Sequence, residues 1–201
     1  MTFHSNLSIV LASTSETRRQ ILHNAGIAFS AIAPGISEES AKEELVNVPA
    51  TQIALELAKR KARSISSDHG NALVIGCDQT LHIGSIRLDK AQSVEEAHRH
   101  LMILQGKTHI LRTAAVCSHN DQIIWSHIAK AHMKMREMSK ESVDSYLRRA
   151  GPSILFSVGC YQIEGLGAQL FEAVEGDHFS ILGLPLYPLL EFLRQSGILE
   201  T

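Results

Sequence analysis

Residues 71–90, NALVIGCDQTLHIGSIRLDK, decide how the rest of the chain is read. Ala72 to Gly76 is a continuous apolar run, as expected of a strand covered on both faces. Cys77-Asp78-Gln79 then places a carboxylate and an amide where that strand is expected to end. In open α/β sheets, ligands bind beyond the carboxyl ends of buried strands. Asp78 is therefore either a turn-former or part of a site. A second short strand, TLHI (80–83), a turn at Gly84-Ser85 and the strand IRL (86–88) follow, and Lys90 arrives one hairpin later.

Outward from this stretch, strand and helix patterns alternate. LSIVLAS (7–13) reads as a buried strand, and Ser15 is placed to cap a helix that carries Arg18 and Arg19 and stops at Gly26. IAFSAIA (27–33) is a second strand, and PGISEES (34–40) is a loop with adjacent acids at Glu38 and Glu39. Ile53, Leu57, Ala58 and Ile65 recur at helical spacing between Ala50 and about Ser66, with Lys59 to Arg63 as a basic segment. Ser93 and Glu96 form a capping box that opens the helix SVEEAHRHLMIL (93–104). HILRTAAVCS (109–118) and QIIWSHIAKAHMKM (122–135) read as a long hairpin. A helix over residues 139–151 ends at Gly151-Pro152; a strand AQLFEAV (168–174), an acidic turn at 175–177 and a last helix from Leu186 to about Gln195 complete the chain. The alternation predicts an α/β class with some antiparallel pairing. No linker divides the 201 residues, so a single domain over 1–201 is expected.

Composition narrows the function. With 44% hydrophobic and 20% charged residues and a net charge of −2, the chain has the balance of a globular protein and no overall basic field for nucleic acid. Neither a run of roughly 20 apolar residues for a membrane span nor a signal peptide is apparent. Cys77, Cys117 and Cys160 are far apart and form no CxxC, which points to a reducing cytoplasm and away from a disulfide framework or zinc ribbon. The 11 histidines include no HExxH; His98 and His100 flank Arg99 on what reads as a polar helix face.

Three constellations carry chemistry. LASTSETRRQIL (11–22) sets small hydroxyls at a strand-to-helix junction followed by two arginines. Helix N-termini, serine hydroxyls and guanidinium forks all suit phosphate oxygens, although an ordinary cap with a solvated arginine pair is the commoner meaning. Glu38, Glu39, Lys61, Asp78, Lys90 and Glu164 supply carboxylates for a hard cation and amines for phosphate charge. Among them Asp78 stands out, because its strand is too apolar for a surface. GCYQIEGLG (159–167) offers glycines for close backbone approach and Tyr161 as a ring to stack on a base, against the plainer reading of a loop between strands. Neither a P-loop nor a dinucleotide fingerprint is present.

Together, LASTSETRR, PGISEE, LAKRKA, VIGCDQT, RLDK, LQGKTH, GCYQIEG and ILGLPL occur in the order that resembles the Maf family, over about residues 7–195. The resemblance implies a mixed twisted sheet of the Maf/ITPase-like type, flanked by helices, with a substrate cleft between two lobes. It also implies a nucleoside triphosphate pyrophosphatase that cleaves between the α and β phosphates and removes modified or noncanonical nucleotides before incorporation. Asp78 matches the acid that activates water, with Lys61 and Lys90 as catalytic amines. Ser13, Arg18, Arg19, Glu38, Lys61 and Lys90 match positions around the triphosphate and a divalent cation, Mg²⁺ or Mn²⁺, to which Glu38 and Asp78 would be ligands. The partner implied is a nucleoside triphosphate, with no nucleic acid or membrane, and a homodimer is compatible with it.

Thr17 in the longer SETRR, Gln79 and Glu164 resemble the subgroup similar to 7-methyl-GTP pyrophosphatases more than the pyrimidine-preferring one. A carboxylate at 164 suits a guanine, whose N1–H and N2 amino group it can accept from. The subgroup often carries Trp where Thr17 stands. Glu16 and Ala91 replace family prolines, and Ser37 replaces an acid, leaving Glu38 to hold the metal. A nucleotide-binding regulator of septum formation with little catalysis is the second reading; Asp78, Lys61 and Lys90 favour the enzyme.

Overall fold

β1 (Ser8–Ala12) lies between two parallel partners, β2 (Ser30–Ile32) and β3 (Ala72–Ile83), with Val10 opposite Ser30, Ile9 opposite Leu73 and Ala12 opposite Gly76. The structure is a computed structural model and describes residues 7–37, 40–41 and 44–199. Its other strands are β4 (Ile86–Leu88), β5 (Thr108–His119), β6 (Gln122–Met135) and β7 (Phe171–Glu175). They form one seven-stranded mixed sheet in the order β2-β1-β3-β5-β6-β7, with β4 paired to β3. The helices are α1 (Glu16–Asn24), α2 (Ile53–Ser66), α3 (Val94–Leu104), α4 (Lys140–Ala150), α5 (His178–Leu182) and α6 (Leu186–Gln195). The expected α/β class with a mixed sheet and flanking helices is what the chain adopts.

Two compact units divide the chain: Met1–Asp78, Thr113–Ala129 and Asp177–Thr201 form the first, and Gln79–Arg112 and Lys130–Gly176 form the second. In the first unit, β1 and the part of β3 paired with it are covered on both faces, as their unbroken apolar runs predict, whereas β2 is largely exposed. Leu11, Leu73, Ile75 and Cys77 face Ile21 and Leu22 of α1 and Leu189 and Leu193 of α6. Val10, Ala12 and Val74 face Ala54, Ala58, Ala62 and Ile65 of α2. The alanines at i, i+4 and i+8 bring the α2 backbone close to β3. A Cβ added to Gly76 would strike the Ala58 carbonyl oxygen and lie 2.8 Å from the Ala62 Cβ, so this crossing needs glycine.

The second unit packs α3 and α4 with short 3₁₀ turns at Pro152–Phe156 and Leu166–Leu170. Leu81, Leu101, Leu104, Leu111, Met133, Met135 and Ile154 are among its fully buried large side chains. β4 closes on β3 as a hairpin, with Leu81 opposite Leu88 and His82 opposite Arg87.

Several boundaries differ from the sequence reading. β3 does not end at Asp78; it continues unbroken to Ile83. What ends near Asp78 is the parallel neighbour β1, whose last pair is Ala12 with Gly76. β2 covers only Ser30–Ile32, and α2 starts at Ile53. The hairpin turn is Asn120-Asp121, both left-handed at φ 49° and 59°, as a two-residue type I′ turn requires. The expected strand over 168–174 begins only at Phe171, because Leu166–Leu170 coils into a 3₁₀ turn. Asp177, read as part of an acidic turn, caps α5 by accepting from the Ser180 N–H at 2.7 Å. His100 does not lie on a polar face: it is buried beside Ala97 and Leu101. Its Nδ1 is 3.9 Å from Cys160 Sγ and its Nε2 is 3.7 Å from Glu96 Oε1, contacts that replace water.

Candidate active site

The first unit builds its site where β1 hands over to α1. Ser15 caps α1, its hydroxyl accepting from the Arg18 N–H at 3.4 Å, and the buried Ser13 hydroxyl accepts from the Ser15 N–H at 3.1 Å. Arg18 reaches back over this turn. Its Nη1 donates to Ser13 Oγ at 3.4 Å, while its Nε donates to the Gly183 carbonyl at 2.8 Å. Gly183 is the left-handed C-cap of α5, at φ 110°. That helix is fixed at one end by Asp177 and by Thr113, whose hydroxyl donates to the Ser180 carbonyl at 2.7 Å. A guanidinium held from two sides is pre-oriented, so little side-chain entropy is lost when it meets an anion.

Lys61 and Asp78 are the second component. Because Ala58 and Ala62 sit against Gly76, the next inward position of α2 comes level with the residue two beyond Gly76 on β3. Lys61 Nζ donates to Asp78 Oδ1 at 2.6 Å, and both side chains are almost fully enclosed, at 5% and 9% exposure. Charges this deeply buried persist only when paired. Since Ala12 pairs with Gly76, Ser13 leaves the end of β1 next to the level at which Cys77-Asp78 continue along β3. Cys77 is buried in this setting and its thiol is pushed up to about 11. Burial is the main cause; Arg18 and Lys61 oppose it and Asp78 adds to it. It stays a protonated thiol at neutral pH.

Not every expected residue joins them. Arg19 Nη1 bonds Glu16 Oε2 at 3.3 Å on the exposed side of α1, and its buried Nε has no hydrogen-bond partner. Thr17 is half-buried in the same first turn. Glu38 and Glu39 lie outside the described residues. Ser37, where the family has an acid, is exposed and caps the Ser40 N–H at 3.3 Å. Among the described residues, no group of three or more His, Cys, Asp or Glu side chains is placed to hold a metal.

Gln79, Lys90 and Glu164 belong to the second unit. Gln79 is half-buried within β3; Lys90 and Glu164 are exposed. Tyr161 contradicts its sequence reading, because it is buried within the second unit. Its hydroxyl lies 2.7 Å from His109 Nε2, and its ring meets Phe171 edge-on with centroids 4.8 Å apart. The cause is local: Gly159 and Cys160 are both left-handed, at φ 80° and 59°, and the reversal swings Tyr161 inward. A Cβ on Gly159 would sit 2.6 Å from both Leu81 Cδ1 and Tyr161 Cε1, so the ring occupies the space that the glycine leaves. Burial pushes the Tyr161 hydroxyl up and the His109 imidazole down to about 4, so both are neutral near pH 7.

Sequence reasoning missed two contributors. Gly183 lies within the quoted ILGLPL stretch but had no role, although Asp177 and Ser180 are spaced as a helix cap and could have located α5. Gly76 looked like part of an apolar run.

The chain matches the family model described as Maf-like protein over residues 8–196, and it belongs to that family. Among curated relatives it is 48% identical over 193 residues to a nucleoside triphosphate pyrophosphatase of Rhodospirillum rubrum, covering 95% of this chain and 96% of that protein. It is 43% identical over 195 residues to a 7-methyl-GTP pyrophosphatase of Rhizobium meliloti, covering 96% and 98%. A nucleoside triphosphate pyrophosphatase of Caulobacter vibrioides is 45% identical over 195 residues, again covering 96% and 98%.

Proposed function

We propose that the protein hydrolyses nucleoside triphosphates to nucleoside monophosphate and pyrophosphate. The observation that carries this reading is the buried Lys61–Asp78 pair at 2.6 Å, between α2 and β3, near the level where β1 ends and leads into Ser13 and the doubly held Arg18. The relatives' names supply the substrate class. In this reading Asp78 takes a proton from water. The water oxygen bonds to the α-phosphorus, the bond to the α–β bridging oxygen breaks, and pyrophosphate leaves. Ser13 and Arg18 bind phosphate oxygens, and Lys61 offsets charge that develops on them. Arg19 joins only if the phosphate displaces Glu16, an exposed pair that is cheap to break. Lys90 is the further catalytic amine of this reading.

A divalent cation, Mg²⁺ or Mn²⁺, belongs to the same proposal. The donor type fits: the Asp78 carboxylate offers hard oxygen, and among the described residues no cluster of three or more His, Cys, Asp or Glu competes with it, as suits a hard cation held mainly by phosphate and water. Asp78 and Glu38 would be its protein ligands, and bound there it would polarise the phosphoryl oxygens. The three cysteines are buried and form no disulfide, which suits a reducing cytoplasm. No observation favours a septum regulator without catalysis, since such a protein has no use for a buried acid–amine pair.

For base choice, the proposal is a preference for guanine-type or 7-methylguanine triphosphates over UTP and dTTP, with Gln79 and Glu164 as recognition residues and Thr17 lacking an aromatic ring. Exposed Glu164 is available to a base, whereas Tyr161 is not. The test is a panel of 7-methyl-GTP, GTP, UTP and dTTP with pyrophosphate detection, with and without EDTA, on the wild type and Glu164→Gln. Pyrophosphate release that EDTA abolishes is expected, with a ranking that Glu164→Gln narrows by about tenfold. Release of orthophosphate from every nucleotide would overturn the cleavage position, and a wild-type preference for UTP or dTTP would overturn the base assignment alone.

A further inference from the structure

Among the described residues, five side-chain polar atoms of the second unit are fully enclosed with no hydrogen-bond partner: His98 Nε2 on α3, His109 Nδ1 beside the Tyr161 contact, and Thr80 Oγ1, His82 Nδ1 and Arg112 Nη1 on the neighbouring strands β3 and β5. Buried polar groups are nearly always satisfied, so orphans gathered in one place call for an explanation. Thr80 and His82 are two apart on β3 and so share one face of it. Both are nine-tenths or more buried, at 3% and 4% exposure. Arg87 lies directly across from His82 on β4, and Arg112 comes from β5, the strand on the other side of β3. His82 is thus flanked by two guanidiniums. Burial first, and then Arg112 and Arg87, hold its imidazole below the ordinary value, opposed by Asp89. Arg87 Nε is 3.4 Å from Asp89 Oδ2, and that pair is partly exposed, as is Arg112, so the cluster grades from a charged rim to a buried floor.

We propose that Thr80, His82 and Arg112 form a phosphate-class oxyanion site in the second unit. The chemistry is one-sided: a hydroxyl, an imidazole nitrogen that can carry a proton and a guanidinium N–H are all able to donate, and no carboxylate oxygen is among the orphans. A bound oxyanion satisfies all three and offsets the two arginines that discourage protonation of His82. Pyrophosphate is the oxyanion that the proposed reaction releases. Retention of that product here is the part of the inference that rests on the pyrophosphatase reading.

The experiment uses the full chain, free of metal and nucleotide, with ¹⁵N-labelled histidine and the His82 resonances assigned through His82→Gln. Inorganic phosphate and inorganic pyrophosphate are titrated separately. Saturable movement of the His82 ring nitrogens toward the protonated form is expected with at least one of them, tighter with pyrophosphate if the site retains product. Thr80→Val and Arg112→Met should each weaken that binding about tenfold, the scale of one hydrogen bond to a charged group. Thr80→Val removes an orphan hydroxyl at constant shape, so it should fold and melt no lower than the wild type, keeping the test open if Arg112→Met is unstable. Unmoved His82 resonances with both anions would mean that the orphans bind only water, and the inference would be wrong. Equal affinity in the wild type and Thr80→Val would also overturn it. No nucleotide is present, so these outcomes are independent of whether the protein cleaves triphosphates.

Discussion

Each unit buries a close pair of titratable side chains, and the two pairs differ in kind. Lys61 and Asp78 are a charged pair at 2.6 Å; His109 and Tyr161 are 2.7 Å apart and neutral. Both sit among apolar side chains, so neither arises from surface chance. A neutral pair costs little to bury and fixes an aromatic cluster in place, here with Phe171. A charged pair is costly to bury and seldom the best choice for stability alone. It is placed near the Ser13–Arg18 turn and the end of β1, where the proposed reaction would use the charge. The contrast assigns chemistry to one contact and architecture to the other.

The largest test of that contrast is Asp78→Asn, which keeps the shape and removes the base. Turnover should fall by about 10²–10⁴-fold, with nucleotide binding still measurable. A variant that retains most of its activity removes Asp78 from the mechanism. Next is Lys61→Met, which leaves the Asp78 carboxylate buried without its ammonium. It should cost about 3–5 kcal/mol in denaturant unfolding, as well as most of the activity. Pairing it with Asp78→Asn should recover part of that stability and none of the turnover, and strictly additive losses would show that the two side chains are not coupled.

Tyr161→Phe probes the neutral contact. It should cost about 0.5–1.5 kcal/mol and leave kcat/KM for nucleotides nearly unchanged. A selective loss of kcat/KM would return the ring to the substrate. The smallest effect concerns pH. His109 is held at about 4 in the folded protein against about 6.5 in an unfolded chain, so the unfolded state binds the proton first as pH falls. Its stabilising contribution is complete above about pH 7, declines between about pH 6.5 and 4, and levels off below. His109→Gln should flatten that part of the stability profile relative to the wild type, and identical profiles would show that His109 is solvated.

Much of this architecture was legible because it is set by near neighbours. Ser15, Ser93 and Ser139 each accept from the N–H three residues on, an interaction that the local sequence contains in full. The apolar runs of β1 and β3 required cover on both faces, and the family motifs put Asp78, Lys61, Ser13 and Arg18 in one list. The list did not say which members meet. Arg18 finds the Gly183 carbonyl 165 residues away, while Arg19, its neighbour, turns to Glu16. Asp78 was read as the end of a strand because a polar residue broke an apolar run. β3 continues past it because backbone pairing with β4 and β5 does not depend on side-chain polarity.

Sequence by itself therefore determined the class, the order of most elements, the caps of α1 and α3 and the residue types available for phosphate chemistry, all of which follow from periodicity and contacts within a turn or two. Tertiary structure alone decided that Lys61 reaches Asp78, since this depends on how closely Ala58 and Ala62 let α2 approach Gly76. It also decided that Tyr161 and His100 point inward. Side-chain direction at such positions is fixed by which surface the backbone presents to a partner far along the chain, and local pattern carries no record of that partner.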